Sequence, residues 1–206
     1  MSHSDNKGLV IPPKLAPTQV VIVPVYKGEE GLKKISAEAL KIKSELESKN
    51  ISVKYDDRDT HKPGWKFAEY EMKGVPLRLA LGARDLEQGV VELARRDTRE
   101  KKTISLEGVT AVLLEELEAI QTNLFNRARQ YRDEHITNAN SWEEFVNLLD
   151  NKGGFVAAHW DGSPETEEVI KAQKREILNA DVSCPKYTII NLNGTLTTEQ
   201  SQKGKI

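Results

Sequence analysis

Residues 56–85, DDRDTHKPGWKFAEYEMKGVPLRLALGARD, crowd acids, bases and aromatic rings around Pro63-Gly64 and Gly74-Val75-Pro76. Those breakers predict a loop, a short helix, a turn and a strand. Spacings of three and four residues put Phe67, Tyr70 and Glu71 on one helix face, with Lys66 close by. The strand that follows, Leu77-Arg78-Leu79-Ala80-Leu81, points Arg78 away from its apolar neighbours and runs into Gly82-Ala83-Arg84-Asp85. Ring faces, carboxylates and guanidinium groups on one edge of a small fold can stack on unpaired nucleobases and hydrogen-bond their edges. The rival for Glu71, Arg78 and Asp85 is an ordinary surface ion-pair cluster, worth roughly 0–1 kcal/mol. For Phe67 and Trp65 the rival is core packing.

These residues need a scaffold. Residues 19–25 (QVVIVPV) form a continuous β-branched run, the mark of a strand buried on both faces. Leu32, Ile35, Ala39, Ile42 and Leu46 recur at helical spacing after an acidic start at Glu29-Glu30. Residues 51–55 alternate like a strand, so strand, helix and strand make a parallel pair. Residues 77–81, 89–94 and 103–106 supply three more strands. Val109, Leu113, Leu117, Ile120, Leu124, Ala128 and Tyr131 mark the buried stripe of a long helix over about 108–134. The expected fold class is α/β, a five-stranded mixed sheet flanked by helices, with a small α+β module after it. In that module Ser141 and Glu144 form a capping-box pattern, residues 155–159 read as a strand, and Ser163-Pro164 opens a helix. Asn193-Gly194 signals a hairpin turn between residues 187–192 and 194–198.

Composition narrows the possibilities. The chain has 206 residues and a net charge of −2, so no global field draws in nucleic acid and any RNA contact needs a local patch. The densest basic run, Arg95-Arg96-Asp97-Thr98-Arg99-Glu100-Lys101-Lys102, reads by itself as a solvated loop. A single cysteine, Cys184, excludes a disulfide framework and fits a reducing compartment, and with four dispersed histidines no zinc site is expected. Residues 20–25, the longest apolar run, are too few to span a membrane. His61 and His159 have no nucleophile near them in sequence, and His61 reads as a solvated loop residue. No catalytic residue is assigned.

Several strings taken together resemble the C-terminal part of a prolyl-tRNA synthetase of the type that carries an extra C-terminal domain. HSDNKGLVIPPKLAP (residues 3–17) resembles the exit from the catalytic core. Pro63-Gly64-Trp65-Lys66-Phe67, residues 69–74 with Val75-Pro76, and Gly82-Ala83-Arg84-Asp85 resemble the class II anticodon-binding domain. Ala158-His159-Trp160 with Glu165-Thr166-Glu167 resembles the start of the extra domain. The resemblance covers about residues 3–173. It implies a core remnant and linker over 1–17, an anticodon-binding domain over 18–136, and a partial C-terminal domain over 137–206 whose tail diverges from about residue 174.

The resemblance also implies roles. Phe67 would stack on an anticodon base, Glu71 and Asp85 would contact guanine edges, Arg78 and Arg84 would support base and backbone contacts, and Lys101 would belong to a basic loop near the anticodon. Proline anticodons carry two adjacent guanines. A guanine Watson–Crick edge offers N1–H and N2–H, which a carboxylate accepts together, while arginine suits O6 and N7. The implied partner is the tRNA(Pro) anticodon arm, with no DNA and no membrane, and the implied compartment is the cytoplasm. The parent would be a homodimer that uses ATP and magnesium. This piece, lacking the class II catalytic domain, would need no cofactor, would not aminoacylate and is free to be a monomer. The alternative is a free-standing regulatory or protein-interaction module that reuses the fold.

Overall fold

The computed structural model describes residues 3–159 and 161–172. Two compact units divide between Ala128 and Arg129. The first holds β1 (Val20–Val25), α1 (Gly28–Glu47), β2 (Val53–Tyr55), α2 (Pro63–Met72), β3 (Leu77–Gly82), α3 (Ala83–Glu87), β4 (Val90–Arg95), β5 (Lys101–Ser105) and most of α4 (Val109–Glu134). Its sheet has the order β2-β1-β3-β4-β5. β1 pairs in parallel with β2 and β3, and the β3-β4 and β4-β5 pairs are antiparallel. The five-stranded mixed sheet expected from the sequence is the one observed.

Strand register decides what each face carries. Val20, Ile22, Leu77, Leu79, Leu81, Val91 and Leu93 meet Ile35, Ala39, Ile42 and Leu46 of α1 and Leu113, Leu117, Ile120 and Leu124 of α4 in the main core. The stripes read from the sequence are buried from Ile35 to Leu46 in α1 and from Val109 to Leu124 in α4, but Leu32 is only half-buried and Ala128 and Tyr131, expected in the buried stripe, are exposed because the helix runs on past the sheet. On the opposite face Val21 and Val23 pack with Tyr70, Phe67 and Val75 in a smaller cluster under α2. β1 therefore lies between helices on both sides, which is why its run of apolar residues is unbroken. α2 covers β1 on that face.

Residues 3–17, irregular by sequence, hold a 3-10 turn, Pro13–Leu15, and an isolated bridge between Asp5 and Gly8. They are nevertheless anchored. The Leu9 N–H donates to the Met72 carbonyl at 3.0 Å and the Ile11 N–H to the Gly74 carbonyl at 3.4 Å. At Gly8 (φ +134°) a Cβ would lie 2.5 Å from Met72 Cα, so only glycine fits this approach.

The second unit holds β6 (Ile136–Asn138) paired in parallel with β7 (Phe155–Ala157), α5 (Trp142–Asn151) and α6 (Pro164–Ala172). Ala139, Phe145, Ala158 and Ile170 form its core. Half of the expected capping box is present: Ser141 Oγ accepts from the Glu144 N–H at 3.2 Å, but Glu144 Oε2 reaches past the cap and accepts from the Asn140 N–H at 2.8 Å. Two short elements, α3 and β6, were not anticipated. Cys184 and the expected hairpin around Asn193-Gly194 lie outside the described residues.

Candidate nucleic-acid interface

On the α2 face of the sheet, register sets Arg78 of β3 opposite Ala94 of β4, and Ala94 opposite Lys101 of β5. The small Ala94 side chain leaves a gap in this row. α2 supplies the facing wall with Phe67, Tyr70 and Glu71, one helical face at spacings of three and four. The result is a cleft of about 120 Å³ lined by these six residues together with Val75, Arg95, Arg96 and Arg99.

Arg78 is the centre of the cleft chemistry. Its guanidinium carbon lies 3.7 Å from the Phe67 ring centroid, a close cation–π stack. Nη2 donates to Glu92 Oε1 at 3.3 Å, and the side chain is only 11% exposed. Nη1 is buried and has no hydrogen-bond partner. Burial disfavours the charge and lowers its pKa, with Glu92 opposing the shift. Glu71 is the one carboxylate lining the cleft, and among the described residues it makes no hydrogen bond or salt bridge. A free acceptor thus stands beside an arginine with an unused donor. Buried polar groups are normally paired, so Nη1 stands out as an unmet donor in the cleft wall, while the half-buried Glu71 carboxylate is open to a donor from a ligand.

The other cleft arginines are committed. Arg95 donates to both oxygens of Asp97, at 3.0 and 2.7 Å, and to Glu116 Oε2 at 2.9 Å. Arg96 is 3% exposed along its side chain and is held by Asp5, Gly8 and the Glu71 carbonyl. Arg99 pairs with Asp5 at 2.7 Å. The basic run is therefore not a solvated loop, because its first two arginines are built into the cleft wall. Lys101 is exposed and has no ion-pair partner among the described residues, so its charge is available to a phosphate.

Behind α2 lies a second network. Asp56, wholly buried, accepts from Arg58 Nε at 2.8 Å, from Arg58 Nη2 and from the Tyr70 hydroxyl at 2.9 Å. Arg58 holds this carboxyl far below the usual carboxylate range, while burial and then Asp56 push the Tyr70 phenol upward, so Tyr70 remains a donor. Lys66 is buried and donates from Nζ to the Asp56 carbonyl at 2.9 Å. It points behind α2 and does not line the cleft, unlike the grouping read from the sequence. Trp65 is 48% exposed and no core residue, and the half-buried His61 stacks on it at 3.8 Å rather than standing solvated.

The family described as "Anticodon binding domain" matches residues 19–116, which span every strand and helix of the cleft. Residues 19–116 belong to the anticodon binding domain family. The wider chain is similar to bacterial proteins named proline–tRNA ligase. It is 53% identical to that of Porphyromonas gingivalis over 197 residues, 96% of this chain and 38% of the relative. It is 53% identical to that of Flavobacterium psychrophilum over 184 residues, 89% and 37% respectively. For Flavobacterium johnsoniae the identity is 48% over 205 residues, 98% and 41%. The chain thus spans well under half the length of the curated relatives it matches. With 98% of the chain covered, the likeness runs on past residue 173, where the sequence reading ended it.

Of the six expected site residues, the anticodon binding domain brings Phe67, Glu71, Arg78 and Lys101 together. Arg84 and Asp85 lie outside the cleft, in α3, which starts beyond the C-terminal end of β3, itself roughly 13 Å along the strand from Arg78. Asp85 Oδ2 accepts from the Gly82 N–H at 3.0 Å and so caps α3, while Arg84 is exposed. The expected convergence of Asp85 with Glu71 and Arg78 is therefore not observed. The sequence signal for the cap was there, since an acid three residues after a chain reversal suits a helix start. Phe67 carries the Arg78 guanidinium over its ring and also packs with Val21, Val23 and Tyr70. Ala94, Arg95, Arg96 and Arg99 were not anticipated as cleft residues; strand register places Ala94 and Arg95, and the Asp5 carboxylate holds Arg96 and Arg99.

Proposed function

We propose that this chain reads the anticodon of tRNA(Pro), with one guanine edge received in the cleft between α2 and the β3-β4-β5 row. The observation that carries this is the free Glu71 carboxylate beside the unpartnered Nη1 of Arg78. Glu71 accepts N1–H and N2–H together, and Arg78 donates to O6 or N7 by turning its buried, unpartnered Nη1 out toward the base. The half-buried Phe67–Arg78 stack offers the base a flat surface, for about 1–3 kcal/mol. Lys101 meets the backbone. Arg84 and Asp85 offer the neighbouring guanine a separate contact at the far end of β3, with Asp85 Oδ1 as acceptor.

In an intact proline–tRNA ligase this recognition would select the tRNA that receives proline, in the cytoplasm and at the expense of ATP with magnesium. Among the described residues no group of three His, Cys, Asp or Glu could hold a metal ion, and the sequence has no glycine-rich phosphate loop. The part assigned to this chain is recognition. Among the described residues no helix is long and apolar enough to cross a membrane.

Titration with anticodon stem-loops tests the reading. A loop with two guanines should bind more tightly than one with two adenines by at least about tenfold, the size of one charged hydrogen bond. Equal affinities would overturn it.

A further inference from the structure

Arg96 grips α2 at one point only, the carbonyl of Glu71, to which its Nε donates at 2.8 Å. Its Nη1 and Nη2 donate to Asp5 Oδ2 and Oδ1 at 2.9 and 2.8 Å, and Nη2 reaches the Gly8 carbonyl at 3.1 Å. Arg99, in the left-handed region at φ +62°, brings its own Nη2 to 2.7 Å from Asp5 Oδ2. One carboxylate therefore serves two arginines of the cleft. Both hold it well below the usual carboxylate range, Arg96 more strongly. The seat is a built one. The backbone bonds of Leu9 and Ile11 to residues 72 and 74, and the close fit of Gly8 on Met72, fix where Asp5 stands.

We propose that Asp5 is a positioning residue for base reading, a role that rests on the function proposed above. Through Arg96 it fixes the main chain of Glu71, whose side chain is the free acceptor of the cleft. Through Arg99 it holds the rim. Its negative charge has a second effect. Without it, two adjacent guanidinium groups, one of them buried, lose their counter-charge. The one carboxylate that lines the cleft is Glu71. Arginines released from Asp5 turn to that carboxylate, and an acceptor already paired with arginine no longer receives guanine.

The test compares wild type and Asp5→Asn, as the full chain, against the two-guanine and two-adenine stem-loops, with thermal melts to verify that each protein is folded at the assay temperature. Wild type should prefer guanine. In folded Asp5→Asn the ratio of the two affinities should fall by about tenfold, the scale of one lost charged hydrogen bond, with adenine-loop binding nearly unchanged. Asp5→Glu should recover part of the ratio, which a general loss of stability would not allow. A discriminating wild type and an equally discriminating Asp5→Asn would overturn the positioning role alone. A wild type that does not discriminate removes base reading itself, and the positioning role with it. If Asp5→Asn does not fold, exchange of the Arg96 Nε–H in wild type decides. The guanine loop should slow it and the adenine loop should not, by the reciprocity of linked equilibria. No difference between the two loops would overturn the proposal.

Discussion

Glu71 and Arg78 come from a helix and a strand and line the same cleft, where Glu71 leaves its carboxylate and Arg78 its Nη1 without a hydrogen bond. That pairing of unmet needs makes them a site rather than the surface ion pair which composition alone suggested. Glu71→Gln should weaken binding of the guanine loop by about 1.5–3 kcal/mol. Its melting temperature should stay close to wild type, because Glu71 supports no other side chain. Arg78→Lys keeps the charge but loses the planar stack on Phe67 and the forked donors. It should lose guanine preference while retaining weak, salt-sensitive binding, as a titration at two salt concentrations would read. At this scale the sequence was legible where spacing is short. Phe67, Tyr70 and Glu71 follow from helical period, and Arg78 from strand alternation. Arg96 was not legible, because the carboxylate that makes it a wall residue stands 91 positions away.

At the scale of elements, the cleft exists because β3, β4 and β5 align Arg78, Ala94 and Lys101 in one row while α2 covers β1. Ala94→Leu should fill the gap from below. The half-buried site tolerates the added volume on the cleft side, so stem-loop binding should fall at least about tenfold with the sheet intact by circular dichroism, an overpacking cost confined to the cleft. Gly8→Ala should act differently. Its Cβ would meet Met72 main chain at 2.5 Å, and φ +134° suits glycine. A loss of roughly 1–3 kcal/mol in chemical denaturation is expected. The elements with strong periodicity, β1, α1 and α4, were readable in advance. α3 and β6 were not, because five and three residues are too few to show a period and their existence depends on a cap and on a partner strand.

Over the whole molecule, a net charge of −2 coexists with a local basic wall because Asp97, Glu116 and Asp5 neutralise most of it from behind. Asp5 and Asp56 both titrate far below their ordinary range, held there first by Arg96 and by Arg58 respectively. In the unfolded chain such carboxyls take up protons near pH 4, so within that window the unfolded state binds more protons than the folded one. Stability from these groups is therefore complete above about pH 5 and drains away as pH falls through about 4 and below. Thermal melts from pH 8 to 3 should show a flat upper limb and a falling lower limb. An Asp56→Asn variant that still folds should show a shallower fall.

The central claim is that Glu71 accepts the Watson–Crick donors of a guanine, and a double-mutant cycle with inosine tests it most directly. Inosine lacks only the N2 amino group. Replacing each anticodon guanine in turn by inosine should weaken wild-type binding at one of the two positions. At that position Glu71→Gln should erase the penalty, giving a coupling of about 1–3 kcal/mol. If the penalties of Glu71→Gln and inosine simply add at both positions, Glu71 does not read the base and the account fails.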